Sequence, residues 1–316
     1  MEKKKISFLS RAVMMLFVML LTASTAWADD ITISSTEEWN TFASSVNSGT
    51  TYSGQTVTLA ADITITTMAG TSDHKFSGTF NGSGHTLTLN LTTDGSEFTA
   101  PFRYAKGATI KFLNTAGTIY GNNQKYATGL IGSTEGTVNI TACRSSVAIT
   151  SDRSSEDNKD ATHGGFIGVA SGTVTFTNCL FDGSITDAAA TNCGGFVGWR
   201  NGSLTFNSCL MAGTMTLSST SGSATFNRSN SSNTTLNNCY YKTAYGDVQG
   251  TQTSVTGSAL QALLGSGWQV SGNSVVPIMD GNNLGTATVS GINSYYFYTG
   301  SAIAIDYTVT AADGCI

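Results

Sequence analysis

Charge is scarce in this chain. Only 11% of its 316 residues are Asp, Glu, Lys or Arg, and only 2 are Pro. That is too little charge for a disordered polymer of this length, so the chain is expected to fold, as one large or two ordinary domains. A net charge of −5 removes the electrostatic case for nucleic acid, whose binding rests on Lys and Arg neutralising phosphates. Histidine is scarcer still. His74, His85 and His163 are scattered, and no His or second Cys stands at ligand spacing from a cysteine, so no metal centre and no cofactor site is expected.

The one long apolar run lies at the start. Lys3, Lys4, Lys5 and Arg11 form a basic region, Ala12 to Leu21 an apolar one, and Ala26-Trp27-Ala28 a cleavage site before Asp29, which together read as a signal peptide over residues 1–28. The run is shorter than the about 20 residues of a spanning helix. No cysteine follows the site, so a lipid anchor is not supported. Cleavage removes Glu2 and four basic residues and leaves a net charge of −8. The expectation is an exported chain with no transmembrane segment, at the cell surface or outside the cell.

Repeats set the architecture. Gly129-Leu130-Ile131-Gly132, Gly165-Phe166-Ile167-Gly168 and Gly195-Phe196-Val197-Gly198 share a pattern. A cysteine follows each at a fixed interval: Leu130 to Cys143, Phe166 to Cys179 and Phe196 to Cys209 are 13 positions apart, as are Phe226 and Cys239. Phe102 begins a similar unit. The anchors 102, 130, 166, 196 and 226 are spaced by 28, 36, 30 and 30 residues, a solenoid period. Val138 and Ile140, Val174 and Phe176, and Leu204 and Phe206 alternate with Thr, Ser or Asn, the period of a half-buried strand. Ile149, Ile185 and Met215, each six residues after its cysteine, mark a second strand, and the glycine-bounded segment a third. Three short strands per turn predict a right-handed parallel β-helix. Repeats fall near 102–128, 129–164, 165–194, 195–224 and 225–250. The 36-residue interval is read as an insertion from Ser151 to Thr162 that loops out.

These repeats resemble the GLUG motif family, through the Gly-Leu-x-Gly element at 129–132 and its Phe forms at 165–168 and 195–198. Phe76 to Leu87 looks like the opening segment of such exported bacterial surface proteins, and Leu263-Leu264-Gly265-Ser266-Gly267-Trp268 with Val275-Val276-Pro277 is similar to their closing segment. The resemblance implies an adhesin-like surface protein without an assigned catalytic centre. The fourth repeat departs from it, with Thr225 and Arg228 in place of the glycines, and looser packing is expected there.

A solenoid must cover its end rungs. Ser35-Thr36-Glu37-Glu38 has the form of a capping box, and Trp39, Phe42, Ala43 and Val46 recur at helical spacing, which predicts a short amphipathic helix over the first rung. Ala259 to Leu264 with Trp268 is read as a weaker plug at the far end. The β-helix is placed at 29–283. Residues 284–316, with Tyr295-Tyr296-Phe297-Tyr298 and Tyr307-Thr308-Val309-Thr310, resemble the opening strands of a bacterial immunoglobulin-like module. A sandwich needs about seven strands, so an incomplete, partly ordered module is expected.

Cys143, Cys179, Cys209 and Cys239 share one repeat position and should stack at about 4.8 Å. Neighbouring disulfides are geometrically open and export favours oxidation. A ladder of small buried thiols is the favoured reading, because in-register side chains point in parallel. Cys193 and Cys315 lie off the ladder. The segment Ser151 to Asp160 concentrates oxygen ligands but matches no calcium-loop spacing and contains Lys and Arg, so it reads as a solvated loop. Asp182, Asp187, Arg200 and Arg228 do not recur in step, which leaves no convergent ionisable set for a hydrolase or lyase.

The outward row of Asn139, Thr141, Thr173, Thr175, Thr177, Ser203, Thr205 and Asn207, continued by Thr235, raises an ice-binding reading. Asn and Ser interrupt that array, and Thr is a good exposed strand residue in any case. The same row offers hydroxyls and amides to sugars, with Trp199, Tyr240 and Tyr241 as aromatic partners. No catalytic residue is assigned. The expected function is a non-catalytic surface adhesin that binds an extracellular glycan or protein surface. A stalk displaying a distal module is the alternative, and a β-helix polysaccharide-degrading enzyme the third reading.

Overall fold

The computed structural model describes residues 30–121, 125–151, 161–228 and 233–279, and the backbone of Thr288–Ser290 and Thr308–Thr310. Residues 1–29, where a signal peptide is expected, residues 152–160 of the expected insertion, Tyr295 to Tyr298 and Cys315 lie outside the described residues. The fold is predominantly β, built on large parallel sheets wound as a solenoid.

The first sheet holds eight parallel strands in sequence order: Ile31–Ile33, Thr56–Leu59, Thr79–Asn81, Thr109–Lys111, Thr137–Thr141, Thr173–Thr177, Ser203–Asn207 and Thr234–Asn237. The second sheet carries two short segments per coil. Arg144–Ser145 and Ala148–Ser151, for example, both pair with the single long strand Asn114–Gly121. The third sheet stacks Phe102–Lys106, Ile131–Glu135, Ile167–Ala170 and Val197–Arg200. Pairing follows the register read from the sequence. Val138, Val174 and Leu204 align, as do Ile140, Phe176 and Phe206, Ile149, Ile185 and Met215, and Ile131, Ile167 and Val197. All point into one core and are buried there.

Register turns rings into columns. Phe166, Phe196 and Phe226 stack at centroid spacings of 5.0 Å, and Phe176 and Phe206 at 4.9 Å with planes 6° apart. The two columns meet edge to face, as between Phe176 and Phe196 at 90°, a favoured ring geometry. The last five coils pass from the first to the second sheet through a left-handed residue: Phe112, Ala142, Asn178, Ser208 and Asn238 have φ between +49° and +55°. Asn tolerates this region best among these types. The glycines before the Phe column exist for close approach. A Cβ at Gly165 would strike Gly195 O and the Phe181 ring, and one at Gly195 would strike Thr225 O and Met211. Thr225 stands at the same position in the next coil, where its hydroxyl exchanges hydrogen bonds with the backbone of Tyr245, at 3.3 Å as donor and 3.1 Å as acceptor. Thr225 and Phe226 are fully buried, so the fourth repeat is not looser at these positions.

Three findings differ from the sequence reading. The stack begins at Ile31, three coils before Phe102, and the opening segment Phe76 to Leu87 is itself coil, with Thr79–Asn81 paired to its neighbours on both sides. The insertion is smaller than expected. Ser151 ends a strand, and Ala161 and Thr162 are buried. The segment near 259–268 does not plug the far end. It packs instead on the flank of the second sheet.

Helix α1 (Thr36–Asn47) closes the leading end. Ser35 caps it by accepting from the Glu38 N–H, while the Glu38 carboxylate accepts from Ser34 N and Oγ. Trp39, Phe42, Ala43 and Val46 are buried, with Trp39 edge-on to Phe80 and Phe102. At the trailing side α2 (Gly257–Leu264) and the antiparallel hairpin Trp268–Ser271 with Ser274–Pro277 form a strap. Strand alternation explains its position: Phe181 points into the core, so its neighbour Leu180 points out, as does Leu210 in the next coil. Leu260, Leu264, Trp268 and Val275 cover these two leucines. Trp268 Nε1 donates to Ser208 O at 3.0 Å and Asn238 Nδ2 to Leu263 O at 2.8 Å. The strap then runs back along the corners. Met279 lies against Gly84, where a Cβ would meet its Cβ at 3.6 Å. Among the described residues of the tail, Thr288–Ser290 and Thr308–Thr310 pair antiparallel. The described backbone there is one strand pair.

Candidate functional site

Two polar rows run down the outer face of the first sheet. One is Thr56, Thr79, Thr109, Asn139, Thr175, Thr205 and Thr235, and each residue pairs with the next. The other is Thr32, Thr58, Asn81, Lys111, Thr141, Thr177, Asn207 and Asn237. Thr173 and Ser203 continue a shorter third row from Thr137. Successive members lie about 4.8 Å apart along the stack and neighbours within a strand about 6.7 Å apart. The side chains are exposed or half-buried. Asn237 Nδ2 donates to Asn207 Oδ1 at 2.9 Å, so part of the second row is linked laterally. The rows are longer than the sequence showed, because the first three coils escaped notice.

The aromatic residues assigned to this face do not share it. Trp199 pairs with Val169 in the third sheet, and its side chain is on another wall of the solenoid. Tyr241 is buried in the core and Tyr240 packs on the strap cluster. None of these three aromatics is therefore placed beside the hydroxyl and amide rows.

Trp199 instead borders an open cleft of about 520 Å³ with Arg200, Ser221, Gly222, Ser223, Ala224, Arg228 and Asp247. The Arg228 guanidinium lies 4.6 Å from the centroid of the Trp199 ring. Its Nη1 donates to Thr162 Oγ1 at 3.4 Å, and Arg200 Nη1 donates to Gly202 O at 2.6 Å.

The cysteines of the repeat are free thiols, buried along the first corner. Each Sγ donates to the carbonyl two residues earlier: Cys143 to Thr141 O and Cys179 to Thr177 O at 3.3 Å, Cys209 to Asn207 O at 3.4 Å, and Cys239 to Asn237 O at 3.3 Å. Burial pushes the Cys143 and Cys209 thiols well up. The hydrogen bond with Cys209 draws the Cys239 thiol the other way, below its ordinary value.

One group escaped the sequence reading. His163 from one repeat and Asp187 and Cys193 from the next are all fully buried, and residue types alone would suggest a nucleophile, base and acid. The geometry gives them another role. A backbone N–H only donates, so the contact of Ala127 N with His163 Nδ1 at 3.1 Å makes that nitrogen an acceptor. The proton sits on Nε2, which donates to Asp187 Oδ2 at 3.0 Å. Both ring nitrogens are occupied, and neither is available to take a thiol proton. Asp187 Oδ1 accepts from Ala189 N and Ala190 N at 2.8 and 3.0 Å. Burial pushes its carboxyl up, but the hydrogen bonds from His163 and Ala189 outweigh it and hold the acid below the usual carboxylate value. Burial pushes the Cys193 thiol up to about 12. The trio is a structural lock between coils. The long sequence separations from 127 to 187 hid it. Among the described residues no group of three His, Cys, Asp or Glu is placed to hold a metal ion, and no helix is long and apolar enough to cross a membrane.

No protein-family model matches the chain, and no curated protein matches it. Among solved structures it is similar to the crystal structure of a "putative immunoglobulin A1 protease" from Bacteroides ovatus, with a TM-score of 0.56 and 14% sequence identity, over 80% of this chain and 94% of that one. At that identity the likeness concerns the fold.

Proposed function

We propose that this chain is an exported, non-catalytic, adhesin-like protein built from GLUG-type repeats, and that it binds glycan or protein surfaces outside the cell. The observation that carries the reading is the path of the chain. It enters the solenoid at Ile31 and, after the last coil, the strap brings Met279 back against Gly84 in the third coil. Five coil steps of about 4.8 Å, roughly 24 Å, separate that corner from the last one. Both chain connections lie toward the leading end. A spacer needs its two connections at opposite ends, so this path favours a projecting binding body over the stalk alternative. Exported solenoids of this kind offer long repetitive faces, and the polar rows supply one.

The Bacteroides ovatus neighbour's name raises a protease reading. Against it stands the Cys193, His163 and Asp187 geometry, in which the thiol is buried and protonated and the imidazole fully engaged.

The test is depletion of the purified exported chain by immobilised polysaccharides, mucins, matrix proteins and immunoglobulin A1, with released sugar and immunoglobulin fragments assayed in the same tubes. Saturable depletion with no released product is expected. Release of sugar or cleavage of immunoglobulin would overturn the non-catalytic reading. No depletion on any surface would overturn binding and restore the spacer.

A further inference from the structure

We propose that the cleft between Trp199, Arg200 and Arg228 is a binding site for a sugar that carries a carboxylate. The proposal rests on the surface-binding reading above and names the ligand class and the place. The cleft is a wall away from the hydroxyl rows, and its chemistry differs from theirs.

Three observations converge. Among the described residues the cleft is lined by two guanidinium groups and one carboxylate, Asp247, in a chain whose net charge is −5. A planar guanidinium matches a carboxylate with paired N–H donors, where an ammonium would not. Trp199 is the one described tryptophan that meets solvent. It is 36% exposed, whereas Trp39 and Trp268 are 0% exposed. An indole at a cleft wall offers the flat apolar face on which the C–H face of a pyranose rests.

The arrangement is also held in place before any ligand arrives. The stack on the indole fixes the plane of the Arg228 guanidinium, an attraction worth about 0.5–1 kcal/mol at an exposed site, and the Thr162 hydroxyl holds one of its donors. The backbone of Trp199 and Arg200 is fixed by register against Val169 and Ala170. Gly222 and Ser223 also line the cleft, and the Ser223 hydroxyl is itself tied to Cys193 N and Thr191 O. Little ordering remains for binding to overcome. The departure of the fourth repeat from its glycine pattern gains a reason as well. Arg228 stands where the other repeats have Gly132, Gly168 and Gly198, and it projects onto the Trp199 ring of the preceding coil.

The experiment titrates the full exported chain with 3′-sialyllactose, trigalacturonate and lactose, following heat of binding and acrylamide quenching of tryptophan emission. Both acidic sugars test the carboxylate, and lactose tests the neutral scaffold. The expected result is that at least one acidic sugar shields Trp199 while lactose at the same concentration does not. Arg228→Gln should weaken that binding tenfold or more, and Arg228→Lys less. Absence of binding by both acidic sugars, equal binding by lactose, or an Arg228→Gln chain that binds like the parent would each overturn the site. If Arg228→Gln changes the far-ultraviolet circular dichroism, Trp199→Ala takes its place, and loss of the heat of binding with folding intact is then required. Failure here with saturable depletion on the surface panel sinks this site alone. Failure of both sinks the binding reading too.

Discussion

The leading end and the middle of the solenoid solve one problem with the same residue types in different geometries. Around α1, the rings of Trp39, Phe42, Tyr52, Phe76, Phe80 and Phe102 meet at interplanar angles from 38° to 79°. In the middle, Phe166, Phe196 and Phe226 lie within 21° of parallel. The cap has no repeat, so its rings settle tilted or edge-on to one another, and none stacks in parallel, in keeping with the preference of ring quadrupoles for edge contacts. In the middle the strand ladder dictates a translation of one coil, and rings copied by translation must stack. Backbone register outranks ring preference wherever the two compete.

The most drastic way to break this comparison is to remove one ring from each region. Phe196→Ala and Trp39→Ala should each cost about 3–5 kcal/mol, but differently. A solenoid is stabilised largely by nearest neighbours, so Trp39→Ala should strip hydrogen-exchange protection from the coils before Phe102 first. Phe196→Ala should lower protection on both sides of its coil. Uniform loss in both variants would show that the two regions are one cooperative unit.

The next largest effect concerns backbone approach. Gly195→Ala sets a Cβ against Thr225 O and Met211 and should destabilise by about 1–3 kcal/mol through overpacking, read as a lowered denaturation midpoint in urea. Thr225→Gly, at the same repeat position, removes the hydroxyl bonded to Tyr245 rather than relieving a clash. It too should destabilise, which would set the last coil apart from the others.

The lock between coils is sharpened by acid. The folded-state acidity of Asp187 lies below the ordinary value, so its contribution is present above about pH 4 and is lost as pH falls through the lowered value. Asp187→Asn should cost about 1–3 kcal/mol at neutral pH and should flatten this acid limb in a stability profile from pH 5 to 2. An unchanged slope would mean that other carboxylates carry it.

The smallest effect is a rate. In a Cys315→Ser background, the five buried thiols should react with an aromatic disulfide reagent only at the rate of unfolding, and the midpoint of unfolding should not move when reductant is added. Prompt reaction of even one thiol in the folded protein would show that the corner opens locally.

The parts legible in the sequence were those written by translation. The spacing from 130 to 143 recurs in four coils because each coil presents the same corner, and the strand pairs at 138, 174 and 204 follow directly. The helix over Trp39, Phe42, Ala43 and Val46 was also legible, since its signal is local. The first three coils were hidden because α1 interrupts them and their intervals are irregular, although Thr56-Val57-Thr58-Leu59 and Thr79-Phe80-Asn81 carry the same alternation. The flank position of the strap was hidden because it depends on which side Leu180 and Leu210 face, and that is decided only once the corner residues Asn178 and Ser208 have turned left-handed. The candidate site fared least well. Trp199 was singled out, but Arg228 was read as a lost glycine and as an ionisable residue out of step with the repeat, and the contact that joins the two crosses 29 positions of sequence.

The strap also imposes an order of events. Each completed coil offers its free edge as the template for the next, and α1 can seal the leading end while later coils are still emerging. The strap has no surface to dock on until Leu180, Ser208, Leu210 and Asn238 are all in place. Its closure is therefore the final step of assembly, a clasp that fastens only over a finished stack, and a chain halted with any of those coils unformed carries an undocked Trp268.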